Sequence, residues 1–201
     1  CRNDGKVFYK NALPNEIPQM SVGLLLDESG SMCSCDRCTY ARSSAIILYD
    51  FCKALHIPVT VYGHSTSGSS VELYSYAEFE SIDNDDKYRL MDIAARGSNR
   101  DGAALRFVAE QLVKRPEEVK ILILVSDGQP AAPGYYGSAA EEDLRGIKQE
   151  YRRKGVLFIA AAIGEDKQNI ERIYGDSFMD ITDLNQLPVK LTAAVKRHMR
   201  V

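Results

Sequence analysis

Apolar residues fall along the chain in short unbroken runs: VGLLL at 22–26, PVTVYG at 58–63, VELYSY at 71–76, VKILILV at 119–125, VLFIAAAI at 156–163 and FMDI at 178–181. Strands covered on both faces read this way, and the longer amphipathic stretches between them predict crossover helices. After the first run, Ala41, Ala45, Leu48, Cys52 and Leu55 recur at helical spacing, with Tyr40, Ile47, Phe51 and Ala54 on the adjoining stripe. So wide an apolar face predicts a largely buried helix with Cys52 as a core thiol. A helix over 101–115 turns Leu105, Val108 and Leu112 inward. Another over 139–154 opens on a capping box, Ser138 with Glu141, and closes on Gly155. Shorter helices are expected near 166–174 and 184–199. HSTSGSS, between the second and third runs, is too short for a crossover, so those strands should form a hairpin. The expected fold is α/β: a doubly wound, mostly parallel, six-stranded sheet with one antiparallel edge strand and helices on both faces. Residues 1–20, with two prolines and little periodicity, read as a linker from a missing N-terminal region, and 21–201 as a single domain.

The first strand runs straight into Asp27, Ser29 and Ser31, three oxygen-bearing side chains spaced two apart. In an extended loop all three would point to one side, with Gly30 giving the turn its freedom. Asp127 follows the fourth strand in LVSDGQP, and ARGSNRDGAAL brings Ser98, Asn99 and Asp101 just ahead of a helix. In open parallel sheets, ligands gather outside the carboxyl ends of the strands, so these loops are expected to converge there. Carboxylates, hydroxyls and an amide without histidine form a hard donor set, suited to Mg²⁺, with Mn²⁺ or Ca²⁺ as alternatives, rather than to zinc. Each piece also has a plainer reading. Asp27 or Asp101 can cap a helix, the capping role being preferred for Asp101, and Ser-Asp-Gly is a common turn. The combination is harder to explain as turns.

DESGSM resembles the D-x-S-x-S motif of von Willebrand factor type A (VWA) domains, SNRDGAAL their second loop, and VSDGQP their third-loop aspartate. The resemblance covers about residues 20 to 199. YDFCKAL, VELYSYAEF, the stretch from RPEEVK to DLRGI, and YGDSFMDITDL are more narrowly similar to the carboxyl-terminal domain of bacterial cobalt-chelatase-type and nitric-oxide-reductase-activation-type subunits. The resemblance implies a Rossmann-like sheet and a metal-ion-dependent adhesion site (MIDAS). Its ligands would be Asp27, Ser29, Ser31 and Asp127, with Asn99 standing where many relatives carry threonine. Ser98, Asp101 or a bridging water are the alternatives at that point. It also implies a binding module rather than an enzyme. The ion would grip an Asp or Glu of a protein partner, an AAA+ ATPase or a metalloenzyme subunit. The competing reading is metal-assisted phosphoester hydrolysis at the same ion, which ordinarily requires a second metal or a positioned base.

Cys33, Cys35 and Cys38 form C-x-C-x₂-C beside the proposed site, a spacing open to zinc or an iron–sulfur cluster but one ligand short. The plainer reading is reduced thiols in an exposed loop. GHSTSG at 63–68 nearly resembles a hydrolase nucleophile elbow, but it has Ser67 where glycine is required and leads into a strand. No Gly-Lys-Ser/Thr P-loop is present, so ATP hydrolysis by this chain is not expected.

Composition narrows the partners. Twenty-five basic residues stand against 28 acidic ones, a formal charge of −3. The two short basic runs, at 151–155 and 196–200, lie where predicted helices end and complement the helix dipole, so nucleic acid is not an expected partner. No apolar run approaches the roughly 20 residues that span a bilayer, and the first ten residues lack the features of a secretion signal. Five cysteines, an odd number, fit a reducing compartment, and the expected location is cytoplasmic. The first residue is Cys1, which suggests a fragment of a longer protein.

Overall fold

The computed structural model describes residues 19–81, 85–128, 130–163, 167–181, 189, 190 and 193. The expected linker and most of the helix expected over 184–199 lie outside the described residues. The main sheet has six strands: β1 (Met20–Asp27), β2 (Val59–Ser67), β3 (Ser70–Ala77), β4 (Val119–Ser126), β7 (Val156–Ala162) and β8 (Phe178–Asp180). Two-residue strands β5 (Ala131–Ala132) and β6 (Tyr135–Tyr136) form a separate small hairpin. The helices are α1 (Arg37–Ala54), α2 (Asp86–Arg89), α3 (Asp101–Val113), α4 (Gly137–Arg153) and α5 (Lys167–Tyr174).

The sheet order is β3-β2-β1-β4-β7-β8, parallel throughout except for β3, which returns antiparallel at the edge. Strand alternation divides the core in two. Leu24, Leu26, Ile121 and Ile123 pack on one face with Ala41, Ala45, Leu48 and Cys52 of α1. Leu25, Leu122 and Leu124 pack on the other with Leu105, Val108 and Leu112 of α3, Leu144 and Ile147 of α4, and Ile170 of α5. Each such fully buried aliphatic side chain stabilises the fold by roughly 1.5–3 kcal/mol. The chain leaves β1 toward β2 on one side and crosses later to β4 on the other. The carboxyl ends of β1 and β4 therefore flank the switch point of the sheet, where side chains from separate loops can meet.

Several local expectations are corrected. The apolar stripe of α1 is narrower than predicted: Tyr40 is 44% exposed and Leu55 56% exposed, because the helix lies at the surface and ends there. The capping box of α4 does not form. The helix begins at Gly137, with Ser138 already inside its first turn, and Glu141 accepts instead from Arg145 and Arg172. Gly155 does close the helix in a left-handed conformation (φ 85°). β2 runs on through Ser67, so much of the predicted hairpin loop is strand.

Candidate metal centre

Asp27 is the last residue of β1, and its register neighbour in β2 is His64. Its Oδ1 accepts from the backbone N of Ser29 at 2.8 Å, which turns the chain directly after the strand. Its Oδ2 accepts from Asn99 Nδ2 at 3.0 Å and from Ser126 Oγ at 2.8 Å. The first loop, the second loop and the end of β4 are thereby tied to one buried carboxylate. Ser29 Oγ and Ser31 Oγ lie 2.9 Å apart, and Ser31 Oγ donates to Asp127 Oδ1 at 3.0 Å. The other oxygen of Asp127 accepts from Arg37 at 2.7 Å. Asn99 is held from its far end too, since its Oδ1 accepts from the backbone N of Ala131 at 2.8 Å.

The structure therefore brings Asp27, Ser29, Ser31, Asn99 and Asp127 into one hydrogen-bonded cluster. Asp27, Ser29, Asn99 and Asp127 are buried, while Ser31 and Gly30 are exposed, so the cluster opens to solvent on the side of the first loop. That loop is not extended as expected: after Ser29 the chain enters a 3₁₀ segment, Gly30–Asp36. Gly30 does not use a left-handed conformation, whereas Cys35 (φ 54°) and Asp36 (φ 57°) do.

Neither alternative for the second loop joins the cluster in the same way. Ser98 is held through its backbone, which pairs with Thr66. Asp101 makes no side-chain cap of α3. It is buried, with Oδ1 3.2 Å from His64 Nε2, within ion-pair range although not aligned as a hydrogen bond. Burial pushes the Asp101 carboxyl up. Burial alone would favour neutral His64, but the Asp101 carboxylate holds its pKa above the usual value. Burial also raises Asp127, and the charge of Asp27 adds to this, against the opposing pull of Arg37 and Ser31. Both cases follow from placing acidic groups close together where water is excluded.

A clasp beside the cluster sets the spacing of the first two loops. Buried Glu28 accepts from Tyr76 Oη at 2.6 Å and from Arg96 Nε at 2.7 Å, and the Arg96 guanidinium lies 4.0 Å from the centre of the Tyr74 ring. The backbone adds Arg96 N to Glu28 O and Gly30 N to Gly97 O, both at 2.6 Å. Glu28 is raised by burial and opposed by its two donors.

Sequence reasoning missed Ser126, Arg37, Glu28 and the burial of His64. Ser126 has a readable signal, since it precedes Asp127 at the end of a central strand beside β1. Arg37 does not, because its position depends on the irregular backbone before α1. Ser65, considered above as a nucleophile, is buried in β2 with its Oγ accepting from Gly97 N at 2.8 Å. The cysteines do not gather into a soft-metal site. Cys33 and Cys35 are exposed, and Cys38 Sγ points to the carbonyl of Ile93 at 3.6 Å. Among the described residues, no three His, Cys, Asp or Glu side chains form a metal-holding group. Any ion at the rim would therefore depend on hydroxyl oxygens. No described helix is long and apolar enough to cross a membrane.

The family model described as "Cobalamin biosynthesis protein CobT VWA domain" matches residues 88–199. "Uncharacterized protein YojO" of Bacillus subtilis is 25% identical over 206 residues, covering 96% of this chain and 32% of that protein. "Protein NorD" of Brucella suis is 34% identical over 97 residues, covering 47% of this chain and 15% of that protein. The chain thus spans about a third or less of the length of these relatives. Among solved structures, a von Willebrand factor type A protein from Catenulispora acidiphila superposes with a TM-score of 0.58 at 18% identity. That match covers 85% of this chain and 40% of the other, and at such identity it speaks to the fold alone.

Proposed function

Because the chain belongs to the CobT VWA-domain family, we propose that it is a divalent-cation-dependent protein-binding module whose rim holds one hard cation and uses it to grip an acidic side chain of a partner. The observation that carries this reading is the joining of Asp27, Ser29, Ser31, Asn99 and Asp127, from three loops, into one hydrogen-bonded cluster rich in carboxylate and hydroxyl oxygens at the switch point of the sheet. The donor set fits Mg²⁺, with Mn²⁺ or Ca²⁺ as substitutes. Ser29, Ser31 and Asp127 would hold the ion on the solvent side. Asp27 and Asn99, already bonded to neighbouring loops, would act from beneath by orienting the others or through water.

With two carboxylates and neutral hydroxyls around it, a dication keeps an affinity for a further anionic oxygen. That affinity is the chemistry the ion would supply. The module itself would not be catalytic: His64, the histidine packed against Asp101, has no exposed surface from which to activate water at the rim. The partner would be an AAA+ ATPase or a metalloenzyme subunit, within a chelatase-type or metalloenzyme-activation complex.

The test is co-purification of the full-length protein with its ATPase partner in Mg²⁺, in EDTA, and as the Asp27→Ala variant. Retention should require both Mg²⁺ and Asp27. Retention indifferent to both would remove the adaptor reading, and Mg²⁺-dependent turnover of a generic phosphoester that disappears in Asp27→Ala would replace it with hydrolysis.

A further inference from the structure

Arg37 places its guanidinium 2.7 Å from Asp127 Oδ2, with the pair 15% and 3% exposed. It is the first residue of α1, and the first turn of that helix carries no acidic side chain. A cation there meets the positive end of the helix dipole, which disfavours it. The two residues before it, Cys35 and Asp36, both adopt left-handed conformations that side chains other than glycine rarely take. Helix propensity therefore does not account for Arg37 at this point. Its ion pair with Asp127 does.

We propose that Arg37 is a built-in competitor for the cation at the rim, occupying Asp127 until a divalent ion displaces it and thereby setting the affinity of the site. The inference rests on the cation reading given above. A dication held by Asp127 and the guanidinium bonded to Asp127 Oδ2 would lie only a few ångströms apart, where like charges repel strongly because water screens them little. One must leave. Without an ion, Arg37 compensates a buried carboxylate that already faces the charge of Asp27. Once displaced, the guanidinium alone would move, because Ser31, in the same Gly30–Asp36 segment as Cys33 and Cys35, must stay to hold the ion.

The experiment measures Mn²⁺ affinity by titration calorimetry, and melting temperature with and without Mn²⁺, for the wild type, Arg37→Gln, Arg37→Lys and Asp127→Asn. Arg37→Gln should bind Mn²⁺ about tenfold or more tightly than wild type, since a positive charge beside the ion is gone. Its ion-free form should melt lower and show a larger rise on adding Mn²⁺. Arg37→Lys should resemble wild type, and Asp127→Asn should lose binding. A purely structural arginine would lower both melting temperatures equally and leave the affinity unchanged, which would overturn the proposal. Absence of Mn²⁺ binding at millimolar concentration in wild type and Arg37→Gln alike would remove the cation reading together with it. Should Arg37→Gln not fold, the side-chain NMR signal of Arg37 in the wild type decides the matter: Mg²⁺ should release it from its ion pair, and an unchanged signal under saturating Mg²⁺ refutes displacement.

Discussion

Gly97→Ala probes the joint between the second loop and the sheet. A Cβ on Gly97 would lie 2.1 Å from the backbone oxygen of Thr66 in β2 and 3.2 Å from Ser65 Oγ. Relaxed C···O contacts fall at about 3.3–3.6 Å, so the loop must retreat by more than about 1 Å, and a strand carbonyl cannot yield in its place. The retreat strains three hydrogen bonds: Gly97 N to Ser65 Oγ at 2.8 Å, Ser98 N to Thr66 Oγ1 at 3.2 Å, and Gly30 N to Gly97 O at 2.6 Å. At about 0.5–1.5 kcal/mol each, their loss destabilises the protein by roughly 2–4 kcal/mol, a large part of the ~5–15 kcal/mol typical of a domain. Asn99, two residues on, would be drawn from Asp27, so the melting-temperature response to Mg²⁺ should shrink as well. Gly128→Ala is the control, because a Cβ there meets nothing within 4 Å among the described residues; its effect should stay within about 0.5 kcal/mol. Urea unfolding followed by circular dichroism measures both variants. A Gly97→Ala midpoint equal to that of Gly128→Ala would refute the reasoning.

Two further outcomes follow from the same structure. Thiol-reactive probes at neutral pH should label exposed Cys33 and Cys35 in the folded protein, whereas Cys52, buried and with its pKa pushed up to about 12, should react only on unfolding; rapid modification of Cys52 in the native state, read by mass spectrometry, would contradict its core position. Asp143 is held below the usual carboxylate range by Arg106 and also accepts from Tyr135, so its contribution is fully present above the unfolded value near pH 4 and lost as pH falls through its lower folded value. Asp143→Asn should therefore flatten the acid limb of a series of urea midpoints between about pH 2 and 5, and an unchanged slope would show that the pair does not carry it.

The sheet was legible because β1, β4 and β7 are buried on both faces, and such strands leave unbroken apolar runs. Alternation within those runs then decides which helix each residue meets. The site was legible in part, because Asp27 and Asp127 sit at or just beyond the ends of two central strands, a place that strand boundaries alone define. What escaped was set by contacts distant in sequence. β2 continues through His64–Ser67 because β3 and the bridge from Ser98 supply pairing partners that no local propensity reveals. Glu141 leaves its predicted capping role because Arg145 and Arg172 offer it two charged donors. Arg37 reaches Asp127 across a backbone with two left-handed residues, which no periodicity anticipates.

The central claim is that the oxygen cluster at the ends of β1 and β4 holds one divalent ion. Anomalous diffraction from crystals grown with Mn²⁺ tests it most directly. The account predicts one strong peak within about 2.5 Å of side-chain oxygens of Ser29, Ser31 and Asp127, absent in Asp127→Ala. A peak elsewhere, or none at this cluster under saturating Mn²⁺, would contradict it.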